Sequence, residues 1–233
     1  MTKHQNVLVY SSAVFAISTL LLGAVLLLVF PKEAELSDGF QTPIIAFEFA
    51  RTEVDLAFLA GDSEASQRNR RLMDEGHFWD MAFPFAYGGL LALLLLQFTG
   101  QGYRFVWVGV VCSILIIPFD INENLTLLSI TAALEESRPV VPLLVDLHTA
   151  TWLKWGVLGI SIALLSASYL TRKRYGFALL SLLASLAIAI CWVSGSEPRF
   201  AEAMSKVLSL FFIVIAINAI VQAWTFAKGN RLS

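Results

Sequence analysis

The chain is short of charge, cysteine and histidine, and each shortage excludes something. Charged residues make up only 15% of 233 residues, against 57% hydrophobic. A soluble domain of this length could not hide that much apolar surface. Cys112 and Cys191 both lie inside apolar runs, and there is no C-x-x-C. That removes the usual cysteine metal centres and disulfide frameworks, and leaves both as small packing residues. H-E-x-x-H, G-x-S-x-G and glycine-rich phosphate loops are all absent, so the common hydrolase and nucleotide-binding motifs are missing. No internal repeat or low-complexity tract interrupts the pattern, nothing in it points to nucleic acid, and no cofactor is expected.

What is present is six apolar runs, near 7–30, 78–98, 105–127, 149–170, 176–194 and 205–227. Each approaches the length of roughly 20 residues that a helix needs to cross hydrocarbon. The first, Val7 to Phe30, is 24 residues without a charge. That exceeds the apolar core of a secretory leader, about 7–15 residues, so it reads as a retained helix. The expected fold class is all-α: an integral membrane bundle of six transmembrane helices, a single domain over 1–233.

Acid is missing from one side altogether. The even-numbered gaps and both tails carry Lys3, Arg104, Arg172, Lys173, Arg174, Lys228 and Arg231, while all 18 Asp and Glu belong to the other gaps and the helix ends beside them. Basic residues in short loops stay in the cytoplasm, which predicts a cell-membrane protein with both termini cytoplasmic. Arg68, Arg70 and Arg71 oppose this, but they sit in a long loop among acids. Tryptophan agrees with the orientation: Trp79, Trp152, Trp155 and Trp192 fall near the predicted outer ends, Trp107 and Trp224 near the inner ends. Gly156, Gly159, Ala163, Ser181 and Ser185 are candidates for close helix packing. Asn218 and Gln222, at i and i+4, suit an interhelical hydrogen bond in the inner half.

The one long connection is the outer loop 31–77. Loops of this length without structure are uncommon. A largely apolar stretch predicts an interfacial helix over about 43–60, with Pro43 in its first turn and Gly61 at its end. Glu48, Arg51 and Asp55 would form one polar stripe on it, a possible lid over the bundle. Residues 62–76 are polar and should extend the second helix outward.

Length forces several charges into the membrane. Only 15 uncharged residues separate Arg104 from Asp120, roughly 22 Å of helix against about 30 Å of hydrocarbon. The 17 residues between Lys154 and Arg172 give roughly 25 Å, and Asp80 comes out at a similar depth. An ionised side chain near mid-bilayer costs about 2.5–3.5 kcal/mol, so such groups face inward and pair. The candidate polar layer is Asp80, Tyr87, Asp120, Glu123, Asn124 and Lys154. Lys154 is expected to pair with Asp120, with Asp80 and Glu123 as competitors. His77, His148 and Asp80 are candidates for a zinc site on residue type alone; the expectation is that they do not converge and that no metal is held.

Three strings carry a resemblance: Ile44 to Thr52 (IIAFEFART), Asp80 to Tyr87 (DMAFPFAY), and Asp120 to Asn124 (DINEN) with a following lysine, Lys154. Together they resemble a group of bacterial multipass membrane proteins, over roughly residues 44–160. The resemblance implies a bacterial inner-membrane setting and groups Glu48, Asp80, Tyr87, Asp120, Glu123, Asn124 and Lys154. It brings no substrate. The functional expectation is an outward-opening polar cavity that binds a small molecule, lipid headgroup or ion, in transport or sensing, with membrane lipids around it. The alternatives are a lipid-modifying intramembrane enzyme, with metal as an option, and an accessory subunit whose charged layer is structural.

Overall fold

The computed structural model describes residues 3–229; Arg231, one of the basic markers above, lies outside them. The chain is helical: α1 (Lys3–Val29), α2 (Pro43–Glu48), α3 (Glu64–Asp80), α4 (Phe83–Leu96), α5 (Phe105–Glu135), α6 (Val141–Thr171), α7 (Tyr175–Val193) and α8 (Pro198–Gly229). Short 3-10 turns occupy Glu53–Leu56 and Thr99–Gln101. Six stretches are long and apolar enough to cross a membrane, with α3 and α4 counting as one crossing. This is a multi-pass membrane bundle. Its outward faces carry exposed Leu21, Val111, Ile160, Leu183 and Ile217, as a lipid-facing surface should.

Each crossing packs on its neighbours in sequence, and α8 closes the ring against α1. One end of the ring carries the long loop; the other carries the chain termini and the basic turns. We call them the loop end and the terminal end. α2 enters the ring at the loop end, touching α6 and α8.

Two prolines shape the segments that hold the polar layer. Pro84 stands at the start of α4 and has no N–H for the carbonyl of Asp80, so the crossing breaks between Asp80 and Phe83. Pro118 interrupts the hydrogen-bond ladder of α5 just before Asp120. Gly88 lets α4 and α5 approach: a Cβ there would stand 2.9 Å from the Ser113 carbonyl oxygen, a backbone atom that cannot swing aside.

The predicted boundaries follow hydropathy, and three helices outrun them. α5 continues to Glu135, α6 begins at Val141 and α8 at Pro198. At 31 residues each, α5 and α6 span about 46 Å, well beyond the hydrocarbon thickness. Their protruding turns stay helical because Leu127, Ile130, Leu144 and Leu147 build a separate apolar core with Phe47, Leu56, Leu59 and Met73. Residues 64–76 do extend the second crossing outward, as α3.

The loop helix is much shorter than the 43–60 expected. α2 stops at Glu48, and the backbone restarts in the Glu53–Leu56 turn. The cause is local competition for hydrogen bonds. The Asp55 carboxylate accepts from the N–H groups of Arg51 and Thr52, both at 3.0 Å, and from the Thr52 hydroxyl at 2.9 Å. These bonds hold residues 51–55 as a new turn, so Glu48, Arg51 and Asp55 do not share a helical stripe.

Candidate functional site

α2 to α6 together bury an unusual set of polar side chains. Glu48 ends α2, His77 and Asp80 end α3, and Tyr87 is one turn into α4. Asp120, Glu123 and Asn124 occupy one face of α5, and Thr151 and Lys154 one face of α6. All nine are buried, with His77, Glu123 and Asn124 at zero exposure.

Lys154 is the hub. Its ammonium contacts Glu123 most closely, then Glu48 at 3.5 Å and Asp120 at 3.8 Å. The expected first partner, Asp120, is therefore third in distance. Asp120 is instead taken by the Tyr87 hydroxyl, which donates to its other oxygen. Glu123, one turn further along α5, reaches the ammonium directly. Asp80 lies within electrostatic reach of Asp120, Glu123 and Lys154 without an ion pair of its own. The layer thus holds four carboxyl groups and one ammonium.

The energetics of this hub are opposed. Burying an ammonium or a carboxylate costs several kcal/mol each. A carboxylate about 4 Å from the ammonium returns on the order of 4 kcal/mol at an effective dielectric near 20. Three carboxylates around Lys154 offset its own burial, but each is itself buried, they repel one another, and several of their oxygens stay unmatched. Among the described residues, Glu48 Oε2 and Glu123 Oε1 have no hydrogen-bond partner, and neither do His77 Nε2 and Asn124 Nδ2.

Above the hub sits α2. The Thr151 hydroxyl donates to the Glu48 carbonyl oxygen at 3.2 Å. Phe47 is fully buried and packs on the His77 ring, which Phe30 also meets edge-on. Phe49 stacks on Trp155 and meets Trp152 edge-on. Lys154 lies 4.6 Å above the Trp155 ring. α2 covers the layer on the side where the polar cavity was expected to open.

Sequence reasoning missed what holds α2 in place. Glu202 of α8 is buried, yet among the described residues it forms no ion pair. Its carboxylate accepts from the N–H groups of Gln41 at 2.9 Å and Thr42 at 2.7 Å, and from the Thr42 hydroxyl at 2.8 Å. It therefore caps the N-terminus of α2 from another helix, where the helix dipole favours a negative charge. The Arg70 guanidinium donates to the carbonyls of Leu59 and Gly61, and Asn69 to that of Phe58 at 3.0 Å, gripping the far side of the loop. The sequence offers no hint of the Glu202 cap, because Glu202 lies before the apolar run at 205–227, between Arg199 and Lys206.

The proposed lid residues divide. Glu48 belongs to the layer itself. Arg51 reaches the Ser196 hydroxyl at 3.2 Å, and Asp55 ties the loop together, accepting also from Ser37 at 3.0 Å. Burial pulls the Asp55 carboxyl upward, but these hydrogen bonds outweigh it and hold the group below its usual range. Glu48 moves the other way. Burial dominates and raises it to about 7, against the lowering pull of Lys154, with Asp80 and Asp120 pushing it further up.

His77 Nδ1 is 3.2 Å from Asn124 Oδ1, while His148 is exposed on the outside of α6. Among the described residues, no three His, Cys, Asp or Glu side chains are arranged to hold a metal ion. In the terminal half, the Asn218 amide nitrogen has no hydrogen-bond partner among the described residues, so it does not make the expected interhelical bond.

Protein-family models, curated proteins and solved structures give no match to this chain. Function is therefore read from the chemistry of the layer.

Proposed function

We propose that this protein binds a small solute or ion at the carboxylate–lysine layer, reached from the outer side of the cell membrane by movement of α2. One observation carries the reading: Glu48 is at once part of the cover and part of the site. A cover whose own carboxylate contacts the buried ammonium senses what occupies the layer. Anything that competes for Lys154 or Glu123 also competes with the contact that holds α2 down. This links occupancy to opening, as transport or sensing requires.

The orientation belongs to the same proposal. The acid-free basic turns support a cytoplasmic terminal end and an outer loop end, in a bacterial inner membrane. A cysteine placed at exposed Asp62 should react with an impermeant thiol reagent added outside intact cells, and one at exposed Lys173 should not. The native Cys112 and Cys191 are buried and give a low background. The reverse labelling would overturn the orientation.

The binding test is a thermal-shift screen of the purified protein in detergent. The panel holds sodium, potassium, calcium, alkylammonium ions, amino acids, inorganic phosphate and glycerol phosphate. At least one member should stabilise the wild type in a saturable way and fail to stabilise Glu123→Gln. If none does, the structural reading of the layer replaces this one.

A further inference from the structure

Resting on that binding reading, we infer that the solute is a small primary ammonium ion, and that Lys154 occupies its place in the closed state. The surroundings of the Lys154 head are those of a receptor for ammonium. Three carboxylates converge on it, from Glu123, Glu48 and Asp120. The Trp155 ring lies 4.6 Å from it, and Phe49 stacks on the same ring. Carboxylates around an aromatic face are what recognise a compact cation through charge, N–H donation and the ring quadrupole together.

Two further features point to a ligand. Glu123 Oε1 and Glu48 Oε2 are buried and unpartnered, so the receptor has more acceptor capacity than one lysine uses. An ammonium has three N–H donors and can serve several carboxylates at once. The second feature is geometric. The lysine head hangs on a flexible four-carbon stem, so it can withdraw without moving α6. A fixed metal site has no such alternative. A guanidinium is planar and larger, and a quaternary ammonium has no N–H to offer the carboxylates.

The inference separates the roles of the layer. Glu123, Asp120 and Glu48 are binding residues, Trp155 supplies the cation–π face, and Lys154 is the competitor that keeps the empty site closed. Solute entry frees the Lys154 head and passes its Glu48 contact to the solute, so α2 is no longer tied to α6 through Lys154.

The experiment compares wild type with Lys154→Ala, using n-propylammonium as the probe. That ion carries the atoms the substitution removes beyond Cβ. Lys154→Ala should melt lower than wild type, and n-propylammonium should restore at least half of the loss, with the shift rising with its concentration. n-Propanol and tetramethylammonium, at equal concentration and ionic strength, should not. Wild type should also be stabilised, with an apparent affinity at least tenfold weaker, because the resident head must first be displaced. Rescue by n-propanol as well would mean simple cavity filling and would overturn the assignment. So would stabilisation of Lys154→Ala alone, since a head that cannot be displaced is not holding a ligand's place. Should Lys154→Ala fail to fold, Trp155→Leu decides the matter in a protein that keeps its lysine. Weaker n-propylammonium binding supports the ammonium site, and unchanged binding overturns it. If another solute of the panel stabilises wild type and n-propylammonium stabilises neither protein, the ammonium assignment falls while the binding reading stands.

Discussion

The two halves of the bundle are held together by different chemistry. In the loop half, α3 to α6 meet through buried carboxylates, an ammonium, a histidine and an asparagine, with oxygens and nitrogens left over. In the terminal half, α5 to α7 meet through small residues and serine hydroxyls whose bonds close locally, although the buried Tyr169 hydroxyl and Asn218 amide nitrogen are also left over there. Ser113 and Ser161 share a 2.6 Å hydrogen bond, Ser166 donates to the Ala178 carbonyl at 2.7 Å, and Ser185 to the Gly159 carbonyl at 3.0 Å. A Cβ at Gly159 would meet the Ile188 side chain at ordinary contact distance, whereas one at Gly156 would face open space. Neutral hydroxyl pairs are a cheap way to join helices in lipid, worth well under about 2 kcal/mol each. The loop half instead joins α2, α5 and α6 through charge, by the contacts of Lys154 with Glu48, Asp120 and Glu123.

The sharpest way to break this comparison is at Lys154. Removing its head leaves three carboxylates without their cation, and losing one partner of a buried pair costs about 3–5 kcal/mol. Double-mutant cycles read by thermal unfolding in detergent should give a larger coupling with Glu123→Gln than with Asp120→Asn, because Asp120 also has Tyr87. Equal couplings would mean that the hub is diffuse and Glu123 has no special place.

The second test is Glu202→Ala, which removes three accepted hydrogen bonds from the start of α2. A buried donor left unsatisfied costs about 1–3 kcal/mol. The loss should be local. Amide exchange should quicken across 42–48 with little change in α5 to α7. Uniform loss of protection would show that α2 is part of the fold's foundation and not a cover.

A third test uses pH. Glu48 is raised from its usual 4.5 to about 7. A folded pKa above the unfolded value means the closed state holds the proton more tightly. Its contribution is full below about pH 4.5 and fades as pH rises through 7. Exchange in α2, corrected for the intrinsic rate, should therefore be slower at pH 5.5 than at pH 8. Glu48→Gln should flatten that dependence, and a dependence that survives would assign it to another group.

The smallest effect belongs to the other half. Ser113→Ala should cost about 0.6 kcal/mol, near the average for a hydrogen bond between membrane helices. Its thermal shift should be lost when Ser161→Ala is already present. A loss as large as that of Lys154→Ala would erase the contrast between the halves.

How far the sequence could be read follows the same division. Asp120 and Lys154 were placed at one depth by counting residues from Arg104 and Arg172, since helix rise is a local constant. The ends of α5 and α6 were not, because hydropathy marks lipid and their last turns are held by the apolar core around Phe47 and Leu147. The loop helix was drawn too long because its apolar pattern runs on past Glu48, while the Thr52–Asp55 hydrogen bonds that end it are invisible to periodicity.

The sequence by itself determined six crossings, a loop end and a terminal end that differ in charge, and the shared level of Asp120 and Lys154 along their helices. All of these depend on order along the chain and on the fixed dimensions of a helix. Only the tertiary structure decided that Glu123 and not Asp120 is the first partner of Lys154, that Glu48 joins the layer from the loop, and that Glu202 caps α2 from 160 residues away. Such pairings depend on which helix faces turn toward each other once the ring closes, and a hydrophobic pattern carries no record of that.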